Sequence, residues 1–346
     1  MRGRGDICCM AETIAQPARR LTSEQLLTLL RNMLTQRAVD NRGFQLNRQG
    51  KIAIAMGSEG HEAVQAGTGL AFERGKDLLY PYYRNTGLIL ACGFPLVDLF
   101  RSQLARANDT TGGRSIINHV TGRKLGIASI SSIIAAQCTH AVGAAWKFKV
   151  SGETDRVVFC QFGEGATSQG EWHEAINFAA VHALPVVFLC ENNQWAISTP
   201  ISKQMRVTHV AARAAGYGMR GVSCDGFDPV AVYECVRDAR AYAAATGPVL
   251  VEANCYRFLS HTTDDDDRTY RTRDEVAGLR PRDPVPMFEQ RLLDGGIISD
   301  DDAKRIRAEI TELVNRTTDE IEAEPYPEEH TLYGNTYAGP DDAWVN

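Results

Sequence analysis

Two apolar runs, separated by one helix-length segment, constrain the fold of this chain more than any other feature of its sequence. Residues 157–162 and 184–189 each predict a buried strand, because both are short, continuous apolar runs. Residues 167–183 between them have the apolar spacing of a helix. A strand, a helix and a second strand predict a βαβ unit, in which the two strands are parallel neighbours.

Polar residues follow both predicted strands. Glu164 lies between two glycines that permit a tight turn, and Asn193 follows the second strand. Because ligands bind beyond the carboxyl ends of parallel strands, both side chains are expected at one edge of the sheet. A carboxylate, an amide oxygen and a nearby backbone carbonyl suit Mg²⁺, which commonly completes its shell with phosphate oxygens and water. The pair therefore predicts a site for a phosphorylated cofactor.

An ordinary turn is the alternative for Glu164 taken alone, since Gly-acid-Gly turns after strands are common and short motifs match by chance. In this chain, however, a strand, Gly-Glu-Gly, a helix, a second strand and Asn-Asn occur in that order within about forty residues. Such structural context distinguishes a functional motif from a chance match. The combination favours the metal and cofactor site.

Composition excludes several kinds of partner and location. The formal net charge of −6 over 346 residues gives no electrostatic basis for binding nucleic acid. No apolar stretch approaches the roughly eighteen residues of a membrane span, and the first residues lack the apolar core of a secretory signal. The nine cysteines form no CxxC pair of the kind found in zinc or redox sites. We expect a cytoplasmic protein without nucleic-acid or membrane partners.

The remaining pattern predicts a mainly helical arrangement around the sheet. A capping box at residues 22–25 predicts the start of a first helix. Further helices are predicted over residues 59–72, 96–106 and 137–150 and around Ile306 to Val314, with another strand over 249–253 and polar loops over 80–86 and 109–132. We expect a flexible leader at 1–20, an α/β domain at 21–280, and a C-terminal helical extension and tail at 281–346.

With these residues in place, the chain resembles the alpha subunit of the thiamine-diphosphate-dependent component of 2-oxo acid dehydrogenase complexes, most closely the branched-chain (2-oxoisovalerate) branch. The matching residues are 82–84, 113–114, 142–145, 163–171, 175–180, 192–199, 224–228, 256–257 and 261. The resemblance extends from about residue 21 into the final quarter of the chain. It implies a three-layer α/β/α thiamine-diphosphate-binding fold with a mainly parallel sheet and a C-terminal helical extension.

The resemblance also implies which residues form the site. It assigns metal contacts to Glu164, Asn193 and the backbone carbonyl of Trp195. It implies cofactor contacts by Tyr82, Tyr83, Arg84, Ser132, Ile134, Gly163, Glu164, Gly165, Ala166, Asn193, Trp195, Ile197, Arg257 and His261. Substrate contacts are implied for Ile54, Tyr83 and His119, and catalytic roles for His261 and His119.

The chemistry of two of these residues, Arg84 and His261, can be stated from their side chains. Arg84 is suited to a charge-assisted grip on phosphate oxygens, the alternative being a surface arginine packed on tyrosine. His261 can donate a hydrogen bond or manage a proton near neutral pH, the alternative being a structural histidine. His119 follows an atypical Ile-Ile-Asn sequence. Four further histidines, His61, His140, His173 and His182, are assigned to helix packing or the surface.

One loop departs from the family pattern. Residues 131–137 read Ser-Ser-Ile-Ile-Ala-Ala-Gln, where Ser-Pro-Leu-Ala-Thr-Gln is more usual. The aliphatic Ile134 still supplies the apolar side chain that keeps the cofactor bent. The departure argues against a monovalent-cation site that some relatives have in this loop.

The implied reaction is oxidative decarboxylation of a branched-chain 2-oxo acid with reductive acylation of a lipoyl-bearing acyltransferase core, using thiamine diphosphate and Mg²⁺. The chain has no recognisable second pyrimidine-binding domain, so the resemblance implies a beta subunit, an α₂β₂ heterotetramer and cofactor sites at α/β interfaces. A pyruvate or acetoin dehydrogenase alpha subunit is one alternative. A non-catalytic cofactor-binding or assembly subunit that keeps the fold is another.

Overall fold

The computed structural model describes residues 21–333 of the chain. The predicted leader at 1–20 and the end of the predicted tail, 334–346, lie outside the described residues. The helices are α1 (Ser23–Arg48), α2 (Glu62–Ala71), α3 (Thr86–Ala91), α4 (Leu96–Gln103), α5 (Ala136–Val150), α6 (Gly170–Val181), α7 (Ile201–Gln204), α8 (Pro229–Ala245), α9 (Arg273–Leu279), α10 (Pro284–Asp294) and α11 (Asp300–Glu322). The strands are β1 (Leu78–Tyr80), β2 (Val158–Gly163), β3 (Val186–Asn192), β4 (Trp195–Ala196), β5 (Thr199–Pro200), β6 (Arg220–Asp225) and β7 (Val249–Asn254).

A parallel sheet forms the centre of the described part of the chain. Its strand order is β1-β2-β3-β7-β6, and every pair in it is parallel. β2 and β3 are neighbours whose register pairs Val158 with Val186 and Gly163 with Glu191. The predicted βαβ unit is therefore confirmed. The register brings the carboxyl ends of both strands to the same edge of the sheet.

Helices cover both faces of this sheet. Side chains alternate between the two faces along each strand, so neighbouring strand residues pack in different clusters. Cys160 and Phe162 of β2 pack with Trp172 of α6 in one buried cluster that also includes α5. Phe159, next to Cys160, belongs to a second cluster on the opposite face, which includes Val236 of α8. The predicted three-layer α/β/α arrangement is confirmed.

The last helices pack against the first one. Leu30 and Met33 of α1 share a third buried cluster with Phe288 of α10 and Ile306 and Ile310 of α11. Charged pairs flank this contact on the surface, where they contribute only about 0–1 kcal/mol each. The apolar cluster, not the ion pairs, holds the predicted C-terminal helical part in place.

Local signals set several element boundaries. Thr22 Oγ1 accepts a hydrogen bond from the Gln25 amide at 3.2 Å, and Gln25 Oε1 accepts one from the Thr22 amide at 3.0 Å, so the predicted capping box is confirmed. The predicted helix at 59–72 begins later, at Glu62, because Gly60 has a φ of +99°. The predicted helix at 167–183 begins at Gly170, after a short 3-10 turn at Glu164–Ser168.

Within residues 21–333, no helix combines the length and the apolar character needed to cross a membrane.

Candidate active site

A cavity of about 410 Å³ opens where β2 and β3 end. It is lined by residues from several separate segments of the chain, including the 3-10 turn after β2 and the turn after β3. The structure brings every residue with an implied cofactor contact to this lining: Tyr82, Tyr83, Arg84, Ser132, Ile134, Gly163, Glu164, Gly165, Ala166, Asn193, Trp195, Ile197, Arg257 and His261. Residues far apart in sequence thus meet in one place.

Two residues with implied substrate contacts are placed differently. Neither Ile54 nor His119 belongs to the lining formed by the described residues, whereas Met56, which the sequence did not single out, does. His119 is linked to the cavity through Ser132, whose Oγ lies 2.6 Å from His119 Nε2. His119 Nδ1 lies 2.8 Å from the Ile117 carbonyl, which can only accept, so in the neutral imidazole Nδ1 carries the proton and Ser132 donates to Nε2. His119 therefore reaches the cavity through this serine.

One carboxylate oxygen of Glu164 accepts a hydrogen bond, and the other has no hydrogen-bond partner among the described residues. The side chain is 2% exposed, and Oε2 accepts a hydrogen bond from the Asn193 backbone amide at 3.2 Å. Oε1 is buried without a hydrogen-bond partner among residues 21–333. Burial raises the pKa of this carboxyl above its ordinary value. A buried, unpaired carboxylate oxygen is costly unless a cation meets it, so Glu164 is suited to bind a metal ion.

Asn193 and Trp195 supply further oxygens beside Glu164. Asn193 Oδ1 accepts from the Trp195 amide at 3.0 Å and, having two lone pairs, keeps one acceptor position. The Trp195 carbonyl accepts a long hydrogen bond, 3.3 Å, from Arg257 Nη1. A Cβ built on Gly163 would meet no described atom within 4 Å, so there is open space beside the residue that precedes Glu164. The set of oxygen donors and the open space fit a hard cation with an anionic ligand.

A different metal chemistry is not supported here. Among residues 21–333, no group of three or more His, Cys, Asp or Glu side chains is arranged to hold a metal ion. A zinc or redox-metal centre would use such a group. Oxygen ligation around Glu164 is the arrangement that the described residues offer.

Two arginines form a positive wall around His261. Arg84 Nη2 lies 3.1 Å and Arg257 Nη1 3.3 Å from His261 Nδ1. A guanidinium can only donate, so Nδ1 accepts and the imidazole proton lies on Nε2. Burial, Arg84 and Arg257 lower the pKa of His261 to about 3. Near neutral pH this side chain is therefore a neutral hydrogen-bond donor.

The arginines themselves are buried. Arg84 and Arg257 are each 1% exposed, so Arg84 is not a surface arginine packed on tyrosine. Burial and the neighbouring Arg84 lower the pKa of Arg257 to about 10, which leaves it charged at neutral pH. No carboxylate within hydrogen-bond distance neutralises either guanidinium in the described part of the chain. Two charged guanidiniums in one buried wall suit a bound diphosphate.

Part of the cavity lining is aliphatic. Ile133, Ile134 and Ile197 line the cavity and remain 71%, 40% and 51% exposed. Ile197 has a φ of +53°, a left-handed conformation that is strained for a β-branched residue. Its carbonyl accepts a hydrogen bond from Arg257 Nη2 at 2.9 Å, which helps to hold this conformation. The cavity lining thus includes both cationic and apolar side chains.

A buried cluster behind the cavity was missed by the sequence analysis. His61, assigned there to packing or the surface, is fully buried, and its Nδ1 lies 2.6 Å from Glu191 Oε2. Glu191 also accepts from Gln65 at 3.1 Å, from the Tyr82 hydroxyl at 3.3 Å and from Asn85. Burial lowers the pKa of His61, so the ring is neutral. His61 and Glu191 are 130 residues apart, and no sequence spacing signals such a pair.

Comparison with known proteins agrees with this geometry. The model of the family described as "Dehydrogenase E1 component" matches residues 30–330. The 2-oxoisovalerate dehydrogenase subunit alpha of Bacillus subtilis (strain 168) is 41% identical over 320 residues, which cover 92% of this chain and 97% of that protein. The mitochondrial subunits of the same name from Mus musculus and Homo sapiens are 36% and 35% identical over 92% of this chain and 72% and 71% of theirs. These matches confirm the resemblance inferred from the sequence, and the chain belongs to the dehydrogenase E1 component family.

Proposed function

We propose that this chain is the alpha subunit of a 2-oxo acid dehydrogenase component, an oxidoreductase that uses thiamine diphosphate and Mg²⁺. Its reaction is oxidative decarboxylation of a branched-chain 2-oxo acid, followed by reductive acylation of a lipoyl-bearing acyltransferase core. Family membership and the names of the relatives support this assignment. The observation that carries it is the unpaired Glu164 oxygen beside Asn193, in a cavity with two charged arginines.

The residues present fit this cofactor and metal. Glu164, Asn193 and the Trp195 carbonyl would hold Mg²⁺, and Arg84 and Arg257 would bind the diphosphate. When bound, thiamine diphosphate supplies the stabilisation of a carbanion. The apolar side chains in the lining would exclude water and position the cofactor's middle. The chain's own contribution is therefore binding, orientation and electrostatics.

His261 is the proposed catalytic residue on this chain. Its Nδ1 accepts from Arg84 and Arg257, which leaves the Nε2 hydrogen for donation. A neutral donor in a buried site stabilises a developing oxyanion without first being protonated. We propose that His261 donates this hydrogen bond near the reacting atoms. His119 supports the cavity rim through Ser132.

The lining is incomplete for catalysis, which supports a beta subunit. Glu164 is the only carboxylate among the described residues that line the cavity, and its role is at the metal. Activation of the cofactor's aminopyrimidine needs another carboxylate. We propose that the beta subunit of an α₂β₂ heterotetramer supplies it. The exposed Ile133, Ile134 and Ile197 at the rim would be covered by that contact.

Reconstitution tests this proposal directly. We expect the purified chain, given thiamine diphosphate, Mg²⁺ and 2-oxoisovalerate, to show no decarboxylation above background. The same assay after addition of its beta partner should show turnover and acylation of a lipoyl domain. Decarboxylation by the chain alone would contradict the need for a second carboxylate. A complex that binds no cofactor would contradict the whole assignment.

The preferred acid follows from a substrate panel with the reconstituted pair. We expect turnover per enzyme to be highest with branched-chain 2-oxo acids, as the names of the relatives suggest. A difference of one methylene between two substrates changes the ratio of their kcat/KM values by about 10- to 200-fold. The panel should therefore rank the 2-oxo acids clearly. A preference for pyruvate or acetoin would assign the chain to one of those dehydrogenases.

A non-catalytic cofactor-binding or assembly subunit is the second candidate. The observation that favours it is the unusual loop around Ile133, which leaves this side chain 71% exposed beside the cavity. Calorimetry with thiamine diphosphate and Mg²⁺ followed by the activity assay separates the two. Tight binding with no turnover in the presence of the beta subunit would favour the second candidate.

We also propose a cytoplasmic location. The 41% identity to the Bacillus subtilis protein supports it. Fractionation of cells that express the protein at its natural level would test it.

A further inference from the structure

We propose that His61, held by Glu191, is a positioning residue that fixes the orientation of the Asn193 side-chain amide. In that orientation the amide nitrogen points to His61, and the amide oxygen is the end left for a metal ion. This inference rests on the proposed function, because the metal site is part of it. It assigns a role to a buried pair that the mechanism above does not use.

Three hydrogen bonds connect the pair to the metal site. His61 Nδ1 lies 2.6 Å from Glu191 Oε2, and His61 Nε2 lies 3.2 Å from Asn193 Nδ2. On the other side of the amide, Asn193 Oδ1 accepts from the Trp195 backbone amide at 3.0 Å. His61 and Glu191 are fully buried and Asn193 is 5% exposed, so water does not compete for these contacts.

Chemistry alone sets the direction of each bond. A carboxylate such as Glu191 can only accept, so His61 Nδ1 carries a proton. The Trp195 amide can only donate, so Asn193 Oδ1 faces it and the donor Nδ2 faces His61 Nε2, which therefore presents a lone pair. Of the two ends of the Asn193 amide, only the nitrogen can donate to that lone pair. The two ends of an amide are nearly equal in size, so without such partners either orientation would fit.

The orientation matters because a metal ion binds the oxygen and is repelled by the amino group. Glu191 in turn is held by Gln65 and Tyr82, which donate to Oε2, and by Asn85, which donates to Oε1. Such outer partners orient the groups that touch a metal, and their loss costs about 10- to 100-fold in metal affinity. Tyr82 thereby contributes to the site through Glu191 as well as through the cavity wall.

Two replacements of His61 separate positioning from mere packing. In His61→Asn the amide reaches only as far as Nδ1, so the contact with Glu191 is kept and the contact with Asn193 is lost. In His61→Gln the amide reaches the position of Nε2 and can accept from Asn193. The experiment uses the reconstituted complex with its beta subunit and measures, by calorimetry, the Mg²⁺ concentration for half-saturation at saturating thiamine diphosphate.

We expect His61→Asn to raise this concentration about 10- to 100-fold and His61→Gln to stay within about threefold of the wild type. At saturating Mg²⁺ and cofactor, the turnover number of His61→Asn should recover. Glu191→Gln replaces one of the two accepting oxygens by a donor, so its amide cannot accept from both His61 and Asn85, and it should weaken Mg²⁺ binding in the same direction. His173→Asn is the matched control, since His173, on α6, bonds to Tyr217 and does not line the cavity.

The outcomes are distinct. Equal affinity in the wild type, His61→Asn and Glu191→Gln would overturn the positioning role. Equal losses in His61→Asn and His61→Gln would also overturn it, because packing rather than hydrogen bonding would then be responsible. If His61→Asn does not fold, the comparison of His61→Gln with Glu191→Gln decides. A wild-type complex that binds no Mg²⁺ and cofactor refutes the proposed function itself.

Discussion

Replacing Glu164 with Gln is expected to weaken Mg²⁺-dependent binding of thiamine diphosphate by more than about 100-fold. Loss of a group that merely orients a metal ligand already costs about 10- to 100-fold, and Glu164 is the only charged ligand that the described cavity lining offers. Calorimetry of the reconstituted complex measures the change. Glu171→Gln, at an exposed glutamate in the first turn of α6, is the control and should bind as the wild type does.

The same replacement is expected to leave the metal-free protein as stable as before, or more stable. Glu164 Oε1 has no partner within residues 21–333, so ionisation of this buried group is unfavourable. A glutamine side chain keeps the acceptor for the Asn193 amide and removes the charge. Urea unfolding of chelator-treated protein gives the free energy. A loss of more than about 2 kcal/mol would mean that the carboxylate is satisfied in the metal-free state.

The pH dependence has a definite sign. Burial raises the folded-state pKa of Glu164 above its ordinary value of 4.5, so the folded protein holds this proton more tightly than the unfolded chain. As pH rises from the ordinary value through the raised one, the unfolded chain loses its proton first and the contribution of Glu164 to stability falls. The Glu164→Gln variant has no proton to lose at this position, so the wild-type minus variant difference in stability should change across this window. A pH-independent difference would contradict the raised pKa.

The affinity for Mg²⁺ should rise with pH over the same range in which the contribution of Glu164 to stability falls. Mg²⁺ binds the carboxylate and not the protonated acid, so binding releases a proton wherever Glu164 is protonated in the free site. Affinity for Mg²⁺ should therefore increase with pH until the folded-state pKa is passed. Calorimetry in buffers of different ionisation enthalpy measures the released protons directly.

Replacing His261 with Ala is expected to lower the rate of acyl transfer by about 10²- to 10⁴-fold, the usual span for a positioned hydrogen-bonding or acid–base group. Arg84 and Arg257 hold its Nδ1, so the donor at Nε2 has a fixed direction before substrate arrives. Single-turnover acylation of a lipoyl domain, at full cofactor occupancy, measures the loss. Retained turnover under those conditions would remove His261 from the mechanism. His140→Ala, on the exposed face of α5, is the control.

The pH profile of acyl transfer gives a second readout for His261. Its pKa of about 3 means that its charge does not change between about pH 5 and 8, unlike that of an ordinary histidine. We expect His261→Ala to lower the whole profile without altering its shape in that range. Loss of an ionisation near pH 6.5 in the variant would show that His261 titrates there after all.

The sequence predicted the centre of the sheet better than its edges. β2 and β3 have strong apolar runs because both of their faces are covered by helices. β1 has three residues and β6 is half-exposed, and each pairs with one neighbour only, so neither produces a clear apolar run. α8 was also missed, although Asp228 before Pro229 is a recognisable helix start: Asp228 Oδ1 accepts from the Val230 amide at 2.9 Å.

The sequence likewise predicted some features of the candidate site and missed others. Glu164 and Asn193 were predictable because a βαβ unit joins them locally, and the resemblance supplied Arg84 and His261. The position of the proton on His261 depends on distances to two arginines that no sequence pattern contains. His61 was assigned to packing because its partner is remote in the chain. What the sequence misses are contacts between segments that fold together only in three dimensions.

The contact between α1 and α11 has a consequence for how a nascent chain folds. Leu29, Leu30 and Met33 are completely buried in a cluster that α10 and α11 help to form, and one contact between α1 and α11 joins residues 278 positions apart. At about 5–20 residues per second, a ribosome needs tens of seconds to make the covering helices. During that time the first helix presents an apolar stripe that chaperones recognise. Chains that end prematurely, before α11, should be cleared by quality control.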